Sequence, residues 1–186
     1  MNKTFKLFVI LFVSTIVFTQ CKKDEKPTTD PNAVTGSFSV GSTSYNFKGA
    51  FGDKYGLDTS ISAGYNIDLI LYSEGLTVVF SGGAPDSVYG QGSSIYLETF
   101  TSNENSLADG TYAYSDTEPH PLFTYSDYSD VGSGDYTTFN ITNQSITGGT
   151  YTISTLSDGR RNISFNLNLD NGQKITGNFS GPISYY

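Results

Sequence analysis

An all-β domain, built as a single antiparallel β-sandwich, is predicted for most of this 186-residue chain, and three observations predict it. Apolar and polar residues alternate with period two in segment after segment, as strands with one buried face require. Gly, Asn, Asp, Ser and Pro punctuate those segments at a spacing of roughly 8–12 residues, the rhythm of sandwiches and barrels. No segment carries an apolar stripe of period 3.6 bounded by helix caps. A lipocalin-like up-and-down barrel is the alternative, because alternation is the same whether one sheet closes or two sheets pack.

The chain starts with a different kind of segment. Lys3 and Lys6 precede an apolar run from Leu7 to Phe18, broken only by Ser14 and Thr15. Twelve helical residues reach ~18 Å, short of the ~30 Å hydrocarbon core, so the run reads as a signal-peptide core and not as a membrane span. Cys21, the single cysteine, follows directly. In this arrangement residues 1–20 resemble a bacterial lipoprotein signal, which is cleaved just before a cysteine that is then acylated. The resemblance implies lipidation of Cys21 with palmitate-type chains, more than one of which would make the anchor effectively permanent. With Cys21 acylated no thiol is left for a disulfide, although the compartment is oxidising. The stretch Cys21-Lys22-Lys23-Asp24-Glu25 further resembles the start of mature surface lipoproteins of Bacteroidota, which implies an outer-membrane location facing the exterior.

Residues 21–32 form the expected tether. Lys22–Asn32 is charged, holds two prolines and lacks any large apolar residue, so it has nothing to bury and should stay disordered, spanning about 18 Å as a flexible coil. Residues 33–186 make the folded domain, long enough for one core. Its charge narrows the partners. The whole chain has 10 basic and 18 acidic residues, and loss of Lys3 and Lys6 with the signal leaves a net charge of −10. Such a surface repels phosphate backbones and anionic headgroups, and no basic stripe offsets it, so nucleic acid is excluded as a partner.

The strands follow in order. Ser37–Val40 and Thr43–Phe47 flank Gly41-Ser42. Tyr65–Tyr72 and Thr77–Ser81 flank Ser73-Glu74-Gly75. Gly82-Gly83-Ala84-Pro85 leads towards Ser94–Thr101, and Asp109-Gly110 opens Gly110–Tyr114. Thr137–Ile141 is a short candidate. The C-terminal third is clearest: Asn162–Leu169 sets Ile163, Phe165, Leu167 and Leu169 against Asn162, Ser164, Asn166 and Asn168, one greasy face and one solvated face. Ser157-Asp158-Gly159-Arg160 joins it to Thr150–Thr155, and Asp170-Asn171-Gly172 joins it to Lys174–Ile183, giving a meander. Gly177 and Gly181 inside the last strand predict bulges or close packing under aromatic rings. Leu107-Ala108-Asp109-Gly110-Thr111-Tyr112 and Gly177-Asn178-Phe179-Ser180-Gly181 resemble recurrent features of small Bacteroidota lipoproteins of uncharacterised function, which implies a fold and no chemistry.

Chemistry is sparse. With Cys21 committed, there is no cysteine nucleophile and no Cys/His zinc site. His120, the only histidine, lies in Glu118-Pro119-His120-Pro121 and reads as an exposed structural residue; no Gly-x-Ser-x-Gly elbow accompanies it. No catalytic residue, cofactor or metal is therefore assigned, and the chain reads as a non-enzyme. Asp127, Asp130 and Asp135 could offer hard oxygens to Ca²⁺ but lack EF-hand spacing and read as a solvated loop. Paired carboxylates, as glycoside hydrolysis uses, meet in space and leave no trace in one sequence. Tyr125, Tyr128 and Tyr136, with His120 and Phe123, suggest an exposed aromatic patch suited to glycan contact. Asp86-Ser87-Val88 matches a bacterial O-glycosylation pattern, making Ser87 a candidate acceptor in a loop. The expected function is that of a membrane-anchored envelope lipoprotein with a binding or structural β domain that contacts a glycan or an envelope protein. A carrier of a small apolar ligand inside a barrel is the alternative.

Overall fold

The computed structural model describes residues 30–186; the signal run 1–20, Cys21 and residues 22–29 of the tether lie outside the described residues. The described chain is all-β. Its strands are β1 (Thr35–Val40), β2 (Thr43–Leu57), β3 (Tyr65–Ser73), β4 (Leu76–Ser81), β5 (Ala84–Thr101), β6 (Gly110–Tyr114), β7 (Thr124–Tyr125), β8 (Asp130–Asp135), β9 (Asn140–Thr155), β10 (Arg161–Leu169), β11 (Lys174–Gly181) and β12 (Ser184–Tyr185). All belong to one large sheet of sandwich-type class, in which β1 pairs with both β11 and β2. The hydrogen-bonded path β1-β11-β10-β9-β8-β5-β3-β2 thus returns to β1, which covers the edge groups an open sheet would leave unpaired.

Opposite walls of the sheet pack directly on one another. Phe47 of β2 meets Phe165 of β10 edge-on at 6.1 Å and Phe179 of β11 at 5.5 Å. At the other end Tyr112 and Tyr151 stack with centroids 4.7 Å apart. Their hydroxyls are satisfied inside, by Thr101 Oγ1 at 3.0 Å and Thr99 Oγ1 at 2.9 Å. Between these aromatic ends lie Ile67, Leu69, Leu71, Ile95, Leu97, Val131, Leu167 and Ile175, all buried. The interior is filled by side chains.

The meander is present as expected. Phe165 stands between Tyr151 and Gly177, and the 157–160 and 170–172 turns close with Leu156 N–H donating to Arg160 O at 2.8 Å and Gly172 N–H to Leu169 O at 3.0 Å. The packing predicted at Gly177 is found: an added Cβ would lie 2.8 Å from Phe38 Cβ. The Leu107–Tyr112 motif is structural, with Leu107 and Tyr112 buried and Asp109 Oδ1 accepting from Arg161 Nη2 at 2.9 Å.

Three features depart from expectation. The Asp127–Asp135 segment is not a loop throughout, since β8 lies within it, paired to β5 and β9. Gly132-Ser133-Gly134 has low strand propensity, yet only small residues fit there, because a Cβ at Gly134 would run into the Asn140 carbonyl. Of the candidate Thr137–Ile141 only Asn140 and Ile141 are strand, residues 137–139 being a turn; β9 starts there and runs on through the separate candidate Thr150–Thr155, with a register shift between Ile146 and Gly148. Finally, the sheet is mixed: β6–β7 and β12–β2 pair in parallel, each through a two-residue strand.

Candidate functional site

Strand register brings together residues that the sequence keeps apart. Side chains on alternate positions share a face, and Asp53 of β2 pairs with Asp68 of β3, which pairs with Glu98 of β5. Three carboxylates therefore stand in a row across the outer face of the sheet. Tyr96 and Asn66 flank them on the same face. Two segments fold over this row and turn it into a cleft of about 500 Å³, lined by Tyr55, Asp58, Ile61, Asn66, Asp68, Tyr96 and Glu98.

The first covering segment is the β2–β3 connection, where Ser60 Oγ and N–H both donate to Asp58 Oδ1, at 2.6 and 2.9 Å. The second is the excursion between β6 and β8. His120 ties one to the other: its N–H donates to Ile61 O at 2.8 Å, and Ala63 N–H donates to the His120 carbonyl at 2.9 Å. Its ring stacks on Phe100 at 4.6 Å with only 9° between the planes. His120 is 2% exposed, so the expectation of an exposed histidine is corrected. Phe100 projects from the outer face, and the histidine ring is what shields it from water.

Within the cleft the polar groups form a partly closed network. Tyr96 Oη donates to Asp68 Oδ2 at 2.6 Å, and Asn66 Nδ2 donates to Glu98 Oε1 at 3.2 Å. Ser126 Oγ donates to Glu98 Oε2, and Ser129 Oγ accepts from the Glu98 N–H at 3.1 Å. Two acceptors remain without a partner, Asp68 Oδ1 and Asn66 Oδ1, in side chains 5% and 7% exposed. Such orphans cost free energy and ask for an explanation. Burial, reinforced by the Glu98 and Asp53 charges and opposed by the Tyr96 hydroxyl, pushes the Asp68 carboxyl up to about 7. Burial, then the Asp68 carboxylate, raises both the Tyr96 and the Tyr55 phenol. Tyr55 is 66% exposed at the rim.

The residues singled out from the sequence are scattered by comparison. Tyr125 is buried and donates to Gly148 O, Tyr136 shares a hydrogen bond with Ser94, and only Tyr128 of the three tyrosines is well exposed. The expected aromatic patch is therefore not assembled. Asp127 is exposed, Asp130 is half-buried with its pKa raised by burial, and Asp135 accepts from the Thr137 and Thr138 amides. Among the described residues no group of three or more His, Cys, Asp or Glu side chains is placed to hold a metal ion. Ser87 is exposed but sits in β5 opposite Val79, near the hairpin tip, and not in a loop. A second concavity, of about 460 Å³ and lined by Tyr45, Glu74, Gln91 and Asp135 among others, holds none of the orphaned atoms. Sequence reasoning missed Asn66, Asp68 and Glu98; the available signal was a polar face on a strand whose other face is core. Compared with protein-family models, curated proteins and solved structures, the chain matches none.

Proposed function

We propose that this protein is a lipid-anchored module of the bacterial outer membrane that faces the exterior and binds glycan, without catalysis, through the Asp68–Glu98 cleft. The anchor rests on Cys21 and the signal-like residues before it; the −10 charge of the mature chain keeps the domain off anionic headgroups. The observation that carries the binding reading is the pair of buried, unpartnered acceptors, Asp68 Oδ1 and Asn66 Oδ1, in a cleft with a tyrosine at its rim. Sugar hydroxyls are donors that complete such acceptors, and a ring face can stack on Tyr55. A cleft of about 500 Å³ has room for a hexose unit. The carrier reading loses support, because the interior is packed and the hydroxyls of Tyr112 and Tyr151 are bonded to Thr101 and Thr99.

A raised acid beside a second carboxylate is also what glycosidases use. Here both Glu98 oxygens already accept hydrogen bonds, from Asn66 and Ser126, which favours a held carboxylate over a free base or nucleophile. A glycan array probed with the wild type and with Asp68→Asn tests the reading. Signal on defined sugars that Asp68→Asn abolishes, with no product released, is the expected result; a blank array overturns it.

A further inference from the structure

The chemistry of the cleft narrows the ligand further, and the argument rests on the glycan reading above. We propose that the group seated at Asn66, Asp68 and Glu98 is a protonated amine, so that the glycan taken is an amino sugar whose nitrogen is unacylated. Both orphaned atoms are acceptors, and the Asn66 amide cannot be turned to change this. Its Nδ2 donates to Glu98 Oε1 at 3.2 Å, and reversal would set oxygen against a carboxylate. A single ligand group that serves both atoms has to donate more than once. A hydroxyl brings one hydrogen and an ammonium three, and donors bound to carboxylates make stronger bonds when they carry charge.

Charge points the same way. Asp53, Asp58, Asp68 and Glu98 surround or adjoin the cleft, while the ion pairs among the described residues, Arg160–Asp158 and Arg161–Asp109, lie elsewhere. Among the described residues these acids thus have no ion-pair partner. A metal ion does not fit, since no three of these groups converge on one point; a polyatomic cation needs only acceptors spread over its surface. The rings of Tyr55 and Tyr96 on the cleft wall add the π faces that cations favour. The groups facing Asp68 are Asp53 and Tyr55 from β2, Asp58 from the β2–β3 connection, and Tyr96 and Glu98 from β5. All are acidic or phenolic, so ionising Asp68 strengthens the hold on a cation, and affinity rises as pH climbs towards about 7.

Calorimetric titration of the full-length protein in detergent, with tetramers of glucosamine, N-acetylglucosamine and glucose and with the simple diamine cadaverine, tests this. The expected result is glucosamine tetramer bound at least ~10-fold more tightly than the other two sugars, tightening towards pH 7. Asp68→Asn should weaken it at least ~10-fold. Asp158→Asn, which removes the same charge from a turn away from the cleft, should leave it unchanged. Equal binding of the three sugars overturns the amine and leaves the glycan reading standing. Cadaverine bound and every sugar rejected keeps the amine and overturns the glycan reading. Asp158→Asn weakening binding as much as Asp68→Asn overturns the inference as non-specific attraction, and no binding at all overturns both.

Discussion

Replacing Asp68 by Asn should make the protein more stable at neutral and alkaline pH, although it removes a residue of the proposed binding site. In the folded state Asp68 is 5% exposed, one carboxylate oxygen has no partner, and Asp53 and Glu98 face it across the strands. Its carboxyl is pushed from 3.8 up to about 7. The folded state therefore holds this proton more tightly than the unfolded chain does. The stability it contributes is fully present below about pH 4 and is lost as pH rises through about 7, after which the penalty stays constant. At ~1.36 kcal/mol per pH unit, that interval amounts to roughly 4 kcal/mol as an upper bound. Asn keeps an acceptor for the Tyr96 hydroxyl, places an NH₂ where the orphaned oxygen stood, and carries no charge. Urea denaturation of wild type and Asp68→Asn at a series of pH values from 4 to 8 reads the difference. Hydrogen bonds hold Asp58, Asp109 and Asp158 below the usual carboxylate range, which gives the opposite slope in both proteins and cancels on subtraction. The difference should be near zero at pH 4 and favour Asn by about 2–4 kcal/mol at pH 8, or several degrees in Tm at roughly 2–4 °C per kcal/mol for a domain of this size. A flat difference, or one that grows towards low pH, refutes the reasoning.

Other outcomes follow from the same packing. His120→Ala strips the ring cover from Phe100 while keeping the backbone bonds of residue 120 to Ile61 and Ala63; it should cost about 2–3 kcal/mol and, by loosening that packed segment, speed amide exchange at Ala63 more than in β10, as hydrogen-exchange mass spectrometry would read. Gly177→Ala drives a methyl into Phe38 and should lower stability by about 1–3 kcal/mol in thermal melts. Cys21→Ser should move the protein from the detergent phase to the aqueous phase on Triton X-114 partitioning, and intact-mass measurement should show the acyl groups missing. The same measurement on Ser87→Ala should lose any glycan mass carried by the wild type.

How much of this was legible depended on whether a contact is local. Asn162–Leu169 announced itself because its two faces differ in chemistry along eight consecutive residues, and its turns carry Gly159 and Gly172 where positive φ is needed. β8 did not, because Gly132-Ser133-Gly134 is strand only by virtue of the strands on either side of it. The cleft was illegible for a related reason. Asp68 shares a strand phase with Asn66, and Glu98 shares one with Tyr96, so each face alone reads as ordinary solvated polarity. Their meeting is a fact of register between β3 and β5, and their burial is a fact of two connections closing above them. His120 was misread because a Pro-flanked polar stretch looks exposed until Phe100 is known to need a lid.

The case for a site rests finally on contrast among the buried polar groups. Arg161 leaves its Nε without a partner but binds Asp109 and the Leu107 carbonyl, while Asp109 takes the Thr155 amide, and Thr101 and Thr99 satisfy Tyr112 and Tyr151. Each of these clusters explains itself by what it holds together. The Asp68 cluster does not: its strand already completes the core on the opposite face with Ile67, Leu69 and Leu71. A Thr or Val at position 68 would serve the sheet better, and a neutral isostere would relieve the charge. Residues that break a local rule and return nothing to the fold mark the places where a chain meets something else. On the proposed reading, a donor-rich ligand completes the two acceptors that Asp68 and Asn66 leave without a partner.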